Sequence, residues 1–121
     1  MPDSFTVEPD GSRIRNLLKS IRGHGGKQIT VIRLRAPKYR DVMSHGDPSA
    51  MIVMSNAILP HEDMGVVERY ISALATDETG AVLDPGLLEQ LDYIDAIALK
   101  DAVMDFFKAA SRPAASTLPT P

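Results

Sequence analysis

A glycine cluster separates two apolar segments near the N-terminus and limits how this chain can begin to fold. The run GHGG at residues 23–26 ends any regular element that precedes it. The segment that follows, residues 28–35, is rich in β-branched side chains that partly alternate with polar ones, which predicts a strand. Pro37 ends that strand because proline cannot donate to a ladder.

The segment before the glycines is ambiguous. Ile14, Leu17, Leu18 and Ile21 recur at i, i+3, i+4 and i+7, the spacing of one helix face. If the same residues are extended, the glycine turn joins them to residues 28–35 as a β-hairpin. The residues by themselves leave helix and strand open.

The two ends of the chain differ from its middle. Residues 1–12 are polar and contain two prolines, which predicts a flexible arm in which Phe5 and Val7 could form a short edge strand. Residues 111–121 contain three prolines and mostly small side chains, so we expect a disordered tail. Between them, residues 13–110 are predicted to form one domain, consistent with a chain of 121 residues.

The middle of the chain alternates turn signals with apolar segments. Residues 38–50 contain the turn signals His-Gly and Asp-Pro. The apolar run at residues 51–59 has the length of a short helix, although a buried strand fits nearly as well, and Pro60 is predicted to end it.

Helices are predicted for most of the remainder. Apolar residues recur at helical spacing over residues 62–75. Asp84, followed by proline, can begin the next short element. Asp92 can cap a last helix, and Asp95, three residues on, resembles the second half of a capping box. Together with the N-terminal strands, these segments predict an α+β fold: a β-hairpin packed with three or four α-helices.

Composition excludes several classes of protein. The chain has no cysteine, which removes disulfide scaffolds, thiolate zinc sites and cysteine nucleophiles. No run approaches the roughly 20 apolar residues of a membrane span. The N-terminus lacks the basic and apolar regions of a signal peptide. We therefore expect a cytosolic protein without a membrane partner.

Charge is divided unevenly along the chain. Residues 13–40 contain nine basic side chains and no acidic one, whereas residues 46–121 contain four basic and twelve acidic side chains. The basic segment could contact nucleic-acid phosphates, the acidic half of its own chain, or an acidic partner. Nucleic acid is disfavoured because only Tyr39 could stack on bases and the pI is about 5.5.

No arrangement of residues points to catalysis. His24, His45 and His61 lie in or beside separate loops, without the spacing of a metal site. Asp101 and Asp105 lie at i, i+4, which indicates a solvated acidic helix face more readily than a catalytic pair. No serine lies in a nucleophile elbow, and residues 23–27 lack the spacing of a phosphate loop. The sequence predicts no enzyme, no metal and no cofactor.

Several short segments resemble the Mu-like tail assembly chaperones of tailed phages. The opening of that family is matched by LKSI at 18–21, GGKQI at 25–29 and IRLRAP at 32–37, with Asp41 shortly after. Its second half is matched by YISAL at 70–74, LDYID at 91–95 and VMDFF at 103–107. The resemblance covers about residues 17–108, and it favours the hairpin over the helix for residues 14–35.

The resemblance implies a non-enzymatic role in virion assembly. Such proteins bind the tape measure protein, a very long helical chain, and keep it soluble while tail tube subunits polymerise around it. The expected location is the cytoplasm of a bacterial host, with no copy left in the mature virion. The tail tube protein is a further candidate partner, and an open sheet edge would favour a homo-oligomer. The alternatives are a nucleic-acid-binding or regulatory protein that uses the basic hairpin, and a structural virion component.

Two sets of side chains are candidate partner contacts. We expect the cations Arg33, Arg35 and Arg40 to orient an acidic partner. The apolar candidates belong to the core or to a groove, and they are Tyr70, Leu91, Met104 and Phe107. A groove rich in methionine would adapt to an amphipathic helix, and the methionines considered for it are Met43, Met51, Met54, Met64 and Met104.

Overall fold

A computed structural model describes residues 5–53 and 58–111 of this chain, and the side chains of residues 5–48 and 62–108. The strands of the described part are β1 (Thr6–Val7), β2 (Arg13–Arg22), β3 (Gln28–Leu34), β4 (Ser49–Val53), β5 (Ile58–Glu62) and β6 (Ala75–Thr76). The α-helices are α1 (Tyr39–His45), α2 (Met64–Leu74) and α3 (Tyr93–Ser111), and two 3-10 segments occupy His24–Gly26 and Pro85–Gln90.

The N-terminal hairpin is confirmed, and residues 14–22 are a strand. β2 and β3 pair antiparallel, and the full sheet has the order β1-β2-β3-β6. The turn between β2 and β3 uses positive φ angles of 74° at Gly25 and 78° at Gly26, which glycine adopts without steric cost. Thr6–Val7, in the segment expected to be an arm, pairs with β2 at residues 13 and 14.

A bulge in β2 explains why its apolar spacing imitates a helix. Asn16 pairs with Val31 and Ile21 pairs with Ile29, so four residues of β2 lie opposite one residue of β3. The extra residues interrupt the period-two alternation that identifies a strand. Leu18 lies within this bulge and is 62% exposed, although a helical face would bury it.

Two predictions for the middle of the chain are wrong. Residues 39–45, expected to be turns, form the two-turn helix α1. For the apolar segment after residue 50, the strand alternative holds and the helix does not: its described parts belong to the antiparallel strands β4 and β5, with residues 54–57 outside the described residues. The prediction that Pro60 ends this segment is wrong: Pro60 lies inside β5, opposite Met51, and among the described strands β5 pairs with β4 alone.

The helices predicted over residues 62–75 and after Asp92 are present as α2 and α3, and the short element after Asp84 is a 3-10 segment. The N–H of Val66 donates to the Asp63 carboxylate at the start of α2, and that of Ile94 donates to the Asp92 carboxylate at the start of α3. The capping box expected at Asp95 does not form. Its carboxylate instead accepts hydrogen bonds from backbone N–H groups of the β2 bulge, at 3.0 Å from Leu18 N and 3.3 Å from Lys19 N.

The core lies where α2 and α3 pack on the sheet. Both helices contribute to one continuous cluster of buried side chains together with β2 and β3. Its members that are at most 2% exposed are Ile21, Ile32, Leu34, Tyr70, Leu74, Ala75, Leu99, Ala102 and Val103. The architecture is therefore α+β, as predicted. The expected tail falls outside the described residues, except for Ser111, which ends α3.

Candidate functional site

The basic segment of residues 13–40 lies against the acidic half of the same chain. In the described structure, the lysine and arginine side chains of this segment form four ion pairs with the acidic half: Arg13–Asp105, Arg15–Asp95, Lys19–Asp92 and Lys27–Asp77. The first two are largely removed from water, with arginine side chains 8% and 11% exposed. Buried pairing of this kind occupies cations that a phosphate-binding surface would leave free.

Arg13 is the most enclosed of these cations. Its guanidinium lies 4.3 Å from the centre of the Phe106 ring and donates to Asp105 at 3.0 Å. It also donates to the carbonyl of Gly11. These contacts position α3 against β2, so Arg13 has an internal role. Asp105, expected on a solvated helix face, is one half of this pair.

The three cations proposed as partner contacts have different surroundings. Arg35 makes a bidentate pair with Asp41 on α1, at 2.8 and 3.2 Å. Hydrogen bonding from Arg35, with help from the N–H of Lys38, holds the pKa of Asp41 below its usual value. Arg33 lies 3.8 Å from the carboxylate of Asp10 and is partly exposed. Arg40 is exposed on α1. Of the three, Arg40 offers a partner the most accessible charge.

Tyr70 and Met104 belong to the core. Tyr70 is fully buried, and its hydroxyl donates to the carbonyl of Gly46, where α1 ends. Its ring meets the edges of His45 and Phe107 at centroid distances of 5.2 and 5.1 Å. Met104 is 3% exposed. Phe107 is half-buried and packs on the core from α3.

An apolar groove lies between α2, the second 3-10 segment and α3, and it encloses about 680 Å³. We call it the α2–α3 groove. Leu91, the fourth apolar candidate, lines it. The larger apolar side chains that line it with Leu91 are Met64, Val67, Ile71, Leu88, Ile97 and Leu99. Met64 and Ile97 remain 49% and 51% exposed, so the groove is open to a partner.

The groove is not rich in methionine. Met64 is the one methionine that lines it among the described side chains. Met43 is 64% exposed on α1, and Met104 is in the core. The side chains of Met51 and Met54 lie outside the described residues. Branched side chains therefore form most of the groove's apolar lining, and they adapt their shape less than methionine side chains would. The shape of the groove follows from the packing of α2, the second 3-10 segment and α3.

Sequence reasoning missed most residues of the α2–α3 groove. The available signal was an excess of apolar positions on the last helix: Ile94 and Ile97 are 43% and 51% exposed, while Leu99 and Val103 form the core. A surface helix normally has one apolar face, which packs on the core, and polar residues on its opposite face. The second set marks a surface that the described part of the chain leaves uncovered.

Other kinds of site are not seen in the described residues. Within that part of the chain, no group of three histidine or acidic side chains is placed to hold a metal ion. None of the helices described is long and apolar enough to cross a membrane. In comparisons with known proteins, no family model, curated protein or solved structure matches this chain.

Proposed function

We propose that this chain is a phage or prophage tail assembly chaperone, which binds the tape measure protein and keeps it soluble during tail assembly. The observation that supports this most is the α2–α3 groove, an open apolar surface on a small domain. A long amphipathic helix aggregates through its apolar stripe unless another surface covers it. A groove between helices is a common means of covering such a stripe.

The proposal includes a non-enzymatic role in the host cytoplasm and release before the virion matures. A small contact area suits release, because small interfaces typically form transient complexes. The tail tube protein is a second candidate partner, since it polymerises around the same helical chain. The proposal rests on the groove together with the short sequence segments that resemble this family.

Nucleic-acid binding has less support as an alternative. It depends on free cations in residues 13–40, and six of these nine side chains lie within 4 Å of a carboxylate in the described structure. A phosphate backbone would have to displace Asp95 and Asp105 to reach Arg15 and Arg13. Such binding would also weaken steeply with salt, because counterions are released.

Co-expression tests the proposal. The chain is produced together with the long helical tape measure protein that the proposal expects to be encoded just downstream, and the lysate is fractionated by size-exclusion chromatography in high salt. We expect co-elution, and an insoluble long protein when it is expressed alone, because apolar contacts persist in salt. If co-expression leaves the long protein insoluble, the chaperone proposal is wrong. Binding to DNA that disappears in high salt would instead favour the alternative.

A further inference from the structure

The α2–α3 groove has a floor with helical periodicity. On α2 its lining residues are Met64, Val67, Glu68, Ile71 and Ser72, which fall at i, i+3, i+4, i+7 and i+8. These eight residue steps span about 12 Å at 1.5 Å per residue. A second helix lying along this face would be covered over two turns. Such a helix would present its own apolar side chains at i, i+3, i+4 and i+7.

The far wall of the groove comes from α3 and leaves apolar surface exposed. Ala96, Ile97 and Leu99 line this wall. Ile97 is half exposed, and Ile94 lies one turn before it at 43% exposure. The exposed apolar strip therefore continues beyond the groove toward the start of α3. This extension suits an elongated occupant better than a small compact ligand.

The rim of the groove is acidic. Glu68 on α2 and Glu89 in the 3-10 segment both line it, and neither forms an ion pair with any side chain that the structure describes. Lys100, the basic residue in the lining, is already paired with Glu62 at 3.2 Å and Asp101 at 3.3 Å. A partner that enters the groove therefore meets a surplus of negative charge.

This charge distribution discriminates between occupants. A second copy of this chain, packed groove to groove, would bring Glu68 and Glu89 against like charges, and the whole chain has a net charge of −3. A helix with lysine or arginine beside its apolar stripe would instead bring opposite charges to the rim.

From these observations we infer that the α2–α3 groove binds a two-turn apolar stripe of an amphipathic helix whose flanking positions are basic. The inference rests on the proposed function, because it describes which part of a long helical partner this chain would cover. It also gives that partner a sequence pattern: apolar residues at i, i+3, i+4 and i+7, with Lys or Arg at neighbouring exposed positions. Binding to such segments would be repeated wherever the pattern recurs along the long helix.

Designed peptides test this inference with the full chain. Three labelled helical peptides share one length and composition of apolar residues: one has the stripe with lysine flanks, one has the stripe with glutamate flanks, and one has lysine flanks with the apolar residues scrambled. Fluorescence anisotropy measures their dissociation constants. We expect the lysine-flanked stripe to bind roughly tenfold more tightly than the glutamate-flanked one at low salt. The scrambled peptide should not bind measurably.

Matched variants locate the site. Ile97→Glu adds a charge to the groove, and Met43→Glu makes the same kind of change at an exposed apolar position on α1, outside the groove. We expect Ile97→Glu to abolish binding of the lysine-flanked stripe and Met43→Glu to leave it unchanged. The double variant Glu68→Gln and Glu89→Gln should reduce the preference for lysine over glutamate flanks to about twofold. Circular dichroism confirms that each variant is folded.

Several outcomes would overturn the inference. Equal binding of the three peptides, or unchanged binding in Ile97→Glu, removes the groove as the site. A dimer that Ile97→Glu converts to a monomer shows that a second copy fills it. The proposed function fails separately if the wild-type chain leaves its long partner insoluble. If both the wild type and Ile97→Glu keep the long partner soluble, the chaperone function stands and only the assignment of the binding site to the groove is refuted.

Discussion

The carboxylate of Asp95 on α3 lies 2.8 Å from a terminal guanidinium nitrogen of Arg15 on β2, and Asp95 is completely buried. The same carboxylate accepts the backbone N–H groups of Leu18 and Lys19, which lie in the bulge of β2. One anion thus neutralises a cation and satisfies two donors that have left the β2–β3 ladder. The bulge and the position of α3 depend on each other through this residue.

Replacing Asp95 should therefore destabilise the domain strongly. Asp95→Asn removes the negative charge that pairs with Arg15, and its amide NH2 group would face the backbone N–H donors of the bulge. We expect a loss of about 3 kcal/mol in the free energy of unfolding, the range for breaking a buried pair. Urea denaturation measures it. Asp101→Asn, on the same helix with a 43% exposed side chain, is the control and should change stability by less than about 0.5 kcal/mol. Equal effects would show that Asp95 has no special role.

Stability should fall at acidic pH because several carboxylates are hydrogen-bonded when ionised. The hydroxyl of Thr79, with backbone N–H groups, lowers the pKa of Asp77 to about 2. At Asp95, burial opposes ionisation, but hydrogen bonds from Leu18, Arg15 and Lys19 outweigh it and lower the pKa.

The sign of this pH dependence follows from the lowered pKa values. Unfolded carboxylates take up protons at a higher pH than the folded ones, so the stabilisation is complete above about pH 5 and is lost as the pH falls through the unfolded value toward the folded one. For Asp77 this window extends down to about pH 2. Urea denaturation from about pH 7 to about pH 3 measures the slope, and Asp77→Asn should reduce it. A free energy of unfolding that stays constant over this range would contradict the prediction.

The elements that the sequence predicted are those determined locally. The turn and β3 follow from the glycines and the β-branched segment, and α2 follows from apolar spacing and the cap at Asp63. The residues of β2 left helix and strand open, because its bulge interrupts the alternation of a strand, and the family resemblance decided for the hairpin. The helix α1 was missed because its end is held by Tyr70, which lies 24 residues further along the chain, although Arg35 and Lys38 bind Asp41 locally at its start. Such contacts between distant segments have no local pattern in the sequence.

The candidate site was predictable only in part. Leu91 was expected to be in the core or in a groove, and it lines the groove, but its neighbours there come from three separate elements. The basic segment was visible as a charge asymmetry, yet the sequence does not show that Asp95 and Asp105 lie against it. Those pairs join residues 80 and 92 positions apart, a separation at which single-sequence patterns contain no information on contact.

Gln90 should prevent β2 from pairing with another strand. Its side-chain amide accepts the N–H of Arg22 and donates to the carbonyl of Arg22, both at 2.9 Å, in the manner of a neighbouring strand. Gln90→Ala exposes both groups, and we expect increased self-association at high protein concentration, measured by light scattering after size-exclusion chromatography. Gln28→Ala is the control, because the Gln28 side-chain amide donates to the hydroxyl of Ser20 and not to the backbone edge of β2 at Arg22. Unchanged mass in Gln90→Ala would show that this edge is protected in another way.

Charge reversal should lower the free energy of unfolding more at Arg35, which is paired within the fold, than at the exposed Arg40. Arg35→Glu replaces a bidentate pair by repulsion from Asp41, so α1 loses its link to the segment that follows β3. We expect a loss of about 1–3 kcal/mol in the free energy of unfolding. Arg40→Glu makes the same charge change at an exposed position and should alter it by less than about 0.5 kcal/mol. Similar stability of the two variants would show that the Arg35–Asp41 pair contributes little.

Tyr70 should stabilise the end of α1 through its hydroxyl group alone. The hydroxyl donates to the carbonyl of Gly46, and the ring is fully buried between His45 and Phe107. Tyr70→Phe preserves the ring packing but leaves that carbonyl without its donor, so we expect a loss of about 1–2 kcal/mol in the free energy of unfolding. Hydrogen exchange should show faster opening of α1 with little change in α3. Uniform acceleration across both helices would indicate that the hydroxyl supports the whole core and not α1 in particular.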